Sequence, residues 1–305
     1  MKNRCLPRAG RRAAALLTSL VLMLTLLPTA ALAAEDVAVS PKNFPGENFR
    51  VYVTDELDKN SDGTLSADEI AAVTEINCNG SSIANLEGIG YFTNLETLYC
   101  QDNLLTALDV SGNAKLTELH CSGNQLTALT PGPALTHLAC GVNRLTALDL
   151  SGAPNLDTLI CGDNQLTELN VRANPALTTL RCISNCLTEL DVSRNTKLET
   201  LVCSDNQLTV LDLSANTALT ELSCSNNRLT SLDLSRTKVT SYDALSCSGN
   251  QYTLGLKDGE YTFDLTTLPG SFDVSKVGSA LNMSGGEITG NILTVKPGAE
   301  MVCYK

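Results

Sequence analysis

The chain has no tryptophan, and phenylalanine and tyrosine together make up only 4 % of its 305 residues. A single globular core of this length would normally be built on more rings. Histidine is scarcer still. The two present, His120 and His137, have no set of nucleophile, base and orienting group around them and no zinc triad, so the chain reads as a non-enzyme. Positive charge is in deficit: 21 Lys and Arg against 33 Asp and Glu give a net charge of −12. Such a surface repels phosphate backbones, which excludes nucleic acid as a partner, while it suits divalent cations and basic surfaces. Long apolar runs are missing as well. The stretch Ala13–Leu27 has 15 residues, short for a membrane span.

That stretch lies behind Lys2, Arg4, Arg8, Arg11 and Arg12 and ahead of Pro28 and Ala31-Leu32-Ala33. A positive head, a short apolar middle and a small-x-small end are the parts of a secretory signal peptide. The expectation is a signal over residues 1–33 and a secreted or cell-surface protein that does not span the membrane. An uncleaved membrane anchor is the alternative. No cysteine directly follows the run, which argues against a lipoprotein. Cleavage removes five positive charges and leaves the mature chain more acidic.

What the chain has is a repeat. A Cys-x-x-Asn tetrad recurs as Cys100-Asn103, Cys121-Asn124, Cys140-Asn143, Cys161-Asn164, Cys182-Asn185, Cys203-Asn206, Cys224-Asn227 and Cys247-Asn250, with the cysteines 19 to 23 residues apart and most often 21. A fixed period near this length means stacked coils, which bind along an extended surface and seldom do chemistry. Within the unit that begins at Leu198, apolar residues fall at positions 1, 4, 6, 11, 14 and 16. Positions 4 and 6 share one face of a short strand, and Asn at position 9 ends it with an amide that can both donate and accept. No coil buries its ladder alone; its neighbours above and below do that.

The pattern resembles the leucine-rich repeat family, whose signature is L-x-x-L-x-L-x-x-N-x-L, with Cys replacing the third Leu. The second half of each unit, as in Leu211-Asp-Leu213-Ser-Ala-Asn216, imitates the first and looks like a bacterial subtype with little helix on the convex side. The resemblance implies a solenoid with parallel β-strands on the concave face over residues 73–254, read as nine coils. Two departures are expected to show: Thr130-Pro-Gly-Pro133 shortens one coil by two residues, and Val239–Cys247 carries two extra.

There are 12 cysteines, or 11 once Cys5 leaves with the signal. In a secreted chain they invite a disulfide framework. The column argues against it, because parallel side chains on coils about 4.8 Å apart do not converge as a disulfide requires. Buried free thiols are the expectation, with stacked disulfides and metal binding as alternatives. Cys186 and Cys303 lie off the column, and either can be reactive or paired.

Ahead of the repeats, Asp58-Lys-Asn60-Ser-Asp62-Gly63-Thr64-Leu-Ser66-Ala-Asp-Glu69 fits the EF-hand calcium loop without mismatch. Side chains at Asp58, Asn60 and Asp62 point at one centre, Gly63 permits the sharp turn, Thr64 offers its carbonyl, Ser66 acts through a water, and Glu69 closes the sphere with two oxygens. One bound Ca2+ is expected, against the alternative of a metal-free acidic turn. EF-hand loops normally pair and dockerin modules carry two, and no second loop was found, so residues 34–72 read as a helix–loop–helix cap on the solenoid. Cap, calcium loop and repeats in this order look like secreted or surface leucine-rich repeat proteins of Gram-positive bacteria. Residues 255–305 read as a C-terminal β cap with strands at Tyr261–Leu265, Ile288–Val295 and Ala299–Tyr304.

On the concave strands the outward position after the second Leu carries Tyr99, His120, Ile160, Arg181 and Val202. Aromatic and Arg side chains are typical interface anchors, so this ridge is the candidate surface for a protein or glycan ligand of a monomeric binding module. Ordinary solvated strand positions are the bland alternative, and a structural spacer within a larger envelope protein is the alternative function. Internalin-like adhesins are the nearest analogy, at the level of fold. A second column, Asp109, Asp149, Asp191, Asp212 and Asp233, is expected to support turns.

Overall fold

The computed structural model describes residues 36–239 and 245–250, and the backbone of three further strands at 262–264, 286–289 and 292–295. The expected signal at 1–33, part of the insertion at Val239–Cys247 and the strand expected over Ala299–Tyr304 lie outside the described residues.

The centre of the molecule is one nine-stranded sheet. Its strands are β3 (Glu75–Asn77), β4 (Thr97–Tyr99), β5 (Glu118–His120), β6 (His137–Ala139), β7 (Thr158–Ile160), β8 (Thr179–Arg181), β9 (Thr200–Val202), β10 (Glu221–Ser223) and β11 (Leu245–Ser246). Every neighbouring pair is parallel and in order along the chain. The architecture is a leucine-rich-repeat solenoid of parallel strands with little helix. From β4 to β10 each strand buries its central Leu, β3 buries Ile76 in that place, and the flanking side chains point to the opposite face. Behind Leu159, which is fully buried, stand Cys161, Leu166 and Leu156, also at 0 % exposure, and the same set repeats in each coil between Leu95 and Leu229.

The chain leaves each strand through one left-handed residue. Asp102, Gly123, Val142, Asp163, Ser184, Asp205, Asn226 and Gly249 have φ between 52° and 72°. This turn aims the following Asn into the core. Gly, Asn, Asp and Ser occupy it except at Val142, where a β-branched residue in this region costs about 1–2 kcal/mol.

Both expected departures leave the strand pairing intact, and across the longer one Leu222 stands opposite Leu245. The shortened coil at Thr130–Pro133 keeps its strands in register, with Leu119 opposite Leu138 and Leu138 opposite Leu159. Its shortening falls on the back of the coil, where the Asn found at Asn113, Asn174, Asn195 and Asn216 has no counterpart.

The segment ahead of the repeats holds β1 (Val37–Ala38), α1 (Glu47–Tyr52), a π-helical turn (Val53–Leu57), β2 (Thr64–Leu65) and α2 (Ala67–Ala72). It gathers many of the chain's few rings. Phe44 packs against Phe49, Tyr91 and Phe92 with centroids 5.6–6.4 Å apart, and Phe44, Phe49 and Phe92 are fully buried. The three rings belong to one apolar core with Ile76, Ile83 and Leu95 of the first coils. Tyr52 OH accepts a hydrogen bond from the backbone N–H of Asn77 on the terminal strand, and Asn48 Nδ2 donates to the carbonyls of Ser81 and Ser82.

The last strands, β12 (Thr262–Asp264), β13 (Gly286–Thr289) and β14 (Ile292–Val295), form an antiparallel sheet in the order β12-β14-β13. The single strand expected over Ile288–Val295 is instead two strands, with Thr289 opposite Ile292 and only Gly290 and Asn291 between them. A Gly-containing pair between alternating apolar residues is a hairpin signal.

Candidate functional site

Two sets of residues were expected to carry function: the acidic loop of the cap and the outward ridge of the sheet.

The loop begins where the π-helical turn ends. Asp58 is only 3 % exposed, and its carboxylate accepts from the N–H groups of Asp62 and Gly63 at 3.3 and 2.9 Å. Gly63 has φ +81°, the conformation its place in the loop demands. Asp62 accepts from the Thr64 hydroxyl and N–H, which hold its carboxyl below the usual carboxylate range. Glu69 spans the loop: Oε1 accepts from the Lys59 N–H at 3.0 Å, and Oε2 from the Ser66 N–H and hydroxyl at 2.9 and 2.7 Å. Those bonds, the Ser66 N–H foremost, also hold its carboxyl low. Ser66 and Glu69 form a capping box that starts α2 and leads the chain to Val73 and the first coil.

The loop is paired by a strand just upstream of it in the chain. Strand β2, within the loop itself, pairs antiparallel with β1, placing Val37 opposite Leu65 and Ala38 opposite Thr64. The Val39 N–H also donates to the Gly63 carbonyl at 2.9 Å. The edge that would otherwise stay open is thus covered without a second loop.

The loop's donor chemistry fits calcium. Every candidate donor is an oxygen, and three of the side chains are carboxylates, which suits a hard cation. Buried Asp58 has no cationic partner: among the described residues the Lys or Arg ion pair with a carboxylate is Arg172–Asp191. The acidic side chains are turned to backbone N–H groups of the loop, and among the described residues no three His, Cys, Asp or Glu side chains cluster as a metal site by themselves. A calcium sphere here therefore depends on Asn60, the Thr64 carbonyl and water beside the three acids.

On the ridge, Tyr99, His120, Ala139, Ile160, Arg181 and Val202 stand opposite one another on successive strands. The rings of Tyr99 and His120 stack at 4.7 Å with an interplanar angle of 24°. His120 Nε2 is shut away from solvent without a hydrogen-bond partner, and Glu118 Oε2 lies 3.6 Å away. Ile160 is 37 % exposed and Arg181 is open to solvent. Val202 differs from the expectation of an outward ridge. At 9 % exposure, between Arg181 and Ser223 in the register, it adds packing rather than contact surface. The two histidines meet only diagonally, since His137 stands opposite Glu118 and His120 opposite Ala139.

A second outward column escaped the sequence reading: Thr97, Glu118, His137, Thr158, Thr179, Thr200 and Glu221. The alternation of strand side chains is the signal that finds it, since residues two apart share a face. The Asp column behaves as expected. Asp109, Asp149, Asp191, Asp212 and Asp233 each accept from the N–H two residues on.

The column cysteines from Cys78 to Cys224 are eight free thiols, all buried. Burial pushes Cys78, Cys140, Cys182 and Cys224 up to about 12, so they stay protonated and apolar. Off the column, Cys186 is disulfide-bonded. Cys303 lies outside the described residues.

The comparisons agree with this geometry. A model described as "Leucine Rich repeats (2 copies)" matches residues 93–153 and 196–236. Internalin J of Listeria monocytogenes is 41 % identical over 70 residues, which are 23 % of this chain and 8 % of that protein. The solved functional domain of InlJ from the same species, which includes a cysteine ladder, is similar with a TM-score of 0.67 and 38 % identity over 73 % of this chain and 50 % of that one. A leucine-rich repeat protein of Leptospira interrogans follows at TM-score 0.52 and 26 % identity, over 61 % and 52 %. Internalin C2 of Listeria monocytogenes shares the fold at TM-score 0.58 and 22 % identity, over 68 % of this chain and 97 % of that one. This chain thus spans half of the InlJ domain and a small part of full-length internalin J. Among the described residues no helix is long and apolar enough to cross a membrane.

Proposed function

We propose that this protein is a leucine-rich-repeat binding module that works outside the cell, taking a protein or glycan ligand on the outward ridge of its sheet, with one Ca2+ in the N-terminal cap. The observation that carries the reading is the contrast within each strand. The inward column is Leu at nearly every step, whereas the outward one runs Tyr99, His120, Ala139, Ile160, Arg181. A spacer needs the ladder and has no use for that variety. Tyr and Arg are the side chains that interfaces favour as anchors. The similarity to the internalins supports a binding rather than a catalytic role by analogy of fold. The sequence of residues 1–33 supports export. The buried, cation-free carboxylate of Asp58 supports calcium, whose role in this reading is to brace the cap.

The test is a surface-plasmon-resonance screen of the mature chain in calcium against glycan and extracellular-protein panels. A saturable ligand that is lost in the Tyr99→Ala/Arg181→Ala double variant supports the reading. A chain that binds nothing on either panel is a spacer.

A further inference from the structure

Two acids on the outward face stand without partners where their counterparts in later coils have them. Glu221 on β10 accepts from the Thr200 hydroxyl at 3.3 Å, and Asp205 in the turn after β9 accepts from Asn226 Nδ2 at 3.0 Å. In the same two columns, Glu118 and Asp102 accept no hydrogen bond from a described residue, and neither pairs with Lys or Arg. Two further polar atoms of this face are unmet. Gln101 Oε1 and His120 Nε2 are shut away from solvent with no hydrogen-bond partner, and the other such side-chain atoms among the described residues are Asn oxygens on the back of the coils.

The stacked rings lie among these groups. Tyr99 covers one side of the His120 ring, and on the other side the neighbour is Ala139, which offers only a methyl. A planar group laid over Ala139 is the next step of the stack, one strand spacing of about 4.8 Å from the ring. Glu118 is at hand on the same strand, with Oε2 3.6 Å from His120 Nε2. No strand from β3 to β7 carries a Lys or Arg. The first is Arg181 on β8, three strands beyond β5. Lys115, the cation nearest to Glu118 in the chain, is turned to Asn94 Oδ1 at 2.7 Å. Exposed Asp163, in the column of Asp102, adds to the same negative sign.

We propose that this is a docking site for a protein segment that presents an arginine, its guanidinium lying flat on the His120 ring over Ala139 and paired with the Glu118 carboxylate. The proposal rests on the reading of the outward face as a binding surface and names the partner chemistry there. A guanidinium is planar, stacks on rings and carries a donor fork that matches a carboxylate, whereas lysine brings the charge without the plane. Gln101, once its amide turns toward the segment, gains the donor that its Oε1 lacks. The charge favours protein over glycan, since a neutral sugar brings no cation to answer Glu118, Asp102 and Asp163.

The test pans a phage-displayed random peptide library on the immobilised mature chain and measures fluorescence-polarisation affinities of the selected peptides. The expected consensus contains Arg, and its replacement by Lys in the peptide is expected to weaken binding about fivefold. Affinity is expected to fall about tenfold in Glu118→Gln, which removes the charge, and in Ala139→Ile, which fills the space over the His120 ring. The same column already holds Ile160 and Val202, so Ala139→Ile is expected not to lower the melting temperature, which separates contact from folding. Selected peptides without Arg, equal binding of the Lys peptide, or affinities unchanged in both variants overturn the site. If affinities unchanged in those two still fall in Tyr99→Ala/Arg181→Ala, the site fails and the outward face stands. A library without a binder also overturns the site; a saturable ligand from the glycan panel then keeps the outward face as a binding surface, and no ligand from either source overturns both.

Discussion

Asn164 Nδ2 donates to the carbonyl oxygen of Cys140, one coil below, at 3.0 Å, and to that of Cys161 in its own coil at 3.1 Å. Its Oδ1 accepts from the Leu145 N–H at 3.0 Å. One amide thus joins two coils and satisfies backbone groups that the leucine ladder has cut off from water. The arrangement repeats at Asn124, Asn185, Asn206 and Asn227.

Asn164→Ala is therefore expected to cost at least about 3 kcal/mol, because three buried groups lose their partner at once. Gln165→Ala, next in the chain and exposed, is expected to stay within about 0.5 kcal/mol. Urea unfolding of both variants measures the difference, and similar midpoints would contradict the role given to the amide.

Alkali is expected to unfold the solenoid through its thiols. Burial raises the folded pKa of the column cysteines to about 12 in four cases, against about 8.5 in the unfolded chain. Above the unfolded value the unfolded state binds fewer protons than the folded one, so stability present below about pH 8.5 is lost as pH rises toward 12. Melts across this range check the direction. The same thiols are expected to resist alkylating reagents in the native state and react in denaturant, whereas Cys186 reacts only after reduction.

At the acid end the Asp column sets the sign. Asp109, Asp149, Asp212 and Asp233 are held below the usual carboxylate range by the N–H and then the hydroxyl of the Ser two residues on. In Asp191 the Ser193 hydroxyl leads, joined by Arg172. Their contribution is present above the unfolded pKa of about 3.9 and fades as pH falls through the lower folded values. A melting temperature that falls below about pH 4, and falls less in an Asp212→Asn/Asp233→Asn variant, is the expected result.

Calcium titration by calorimetry on the mature chain is expected to show one bound ion, and melts in calcium and in chelator a rise in melting temperature. Asp58→Ala/Glu69→Ala is expected to abolish both. Because Glu69 also closes the capping box of α2, that variant should melt lower than wild type even in chelator. Absence of heat and of any shift would remove calcium from the account.

Much of the architecture was legible because a repeat multiplies its own signal. One Cys-x-x-Asn tetrad means little, but eight at a nearly constant spacing fix strand, turn and inward column together. The Asp turns were legible for a local reason: an Asx turn needs only a neighbour two residues on. Less was legible where the outcome depends on contacts between coils. The sequence marks Val202 as outward by alternation, yet it is buried. Val142 draws no notice in a string of residues and becomes conspicuous only once its backbone is seen to be left-handed.

By itself the sequence determined the period, the parallel stacking and the place of each Leu, Cys and Asn, because all of these rest on spacing along one chain. Tertiary structure decided the rest. It paired β1 with β2, packed the scarce rings into one core with the first coils, and set Ile160 opposite Arg181 on the next strand. The physical reason is that stacking turns a separation of about twenty residues into a distance of one strand spacing, about 4.8 Å, and such neighbours are not written in any local pattern.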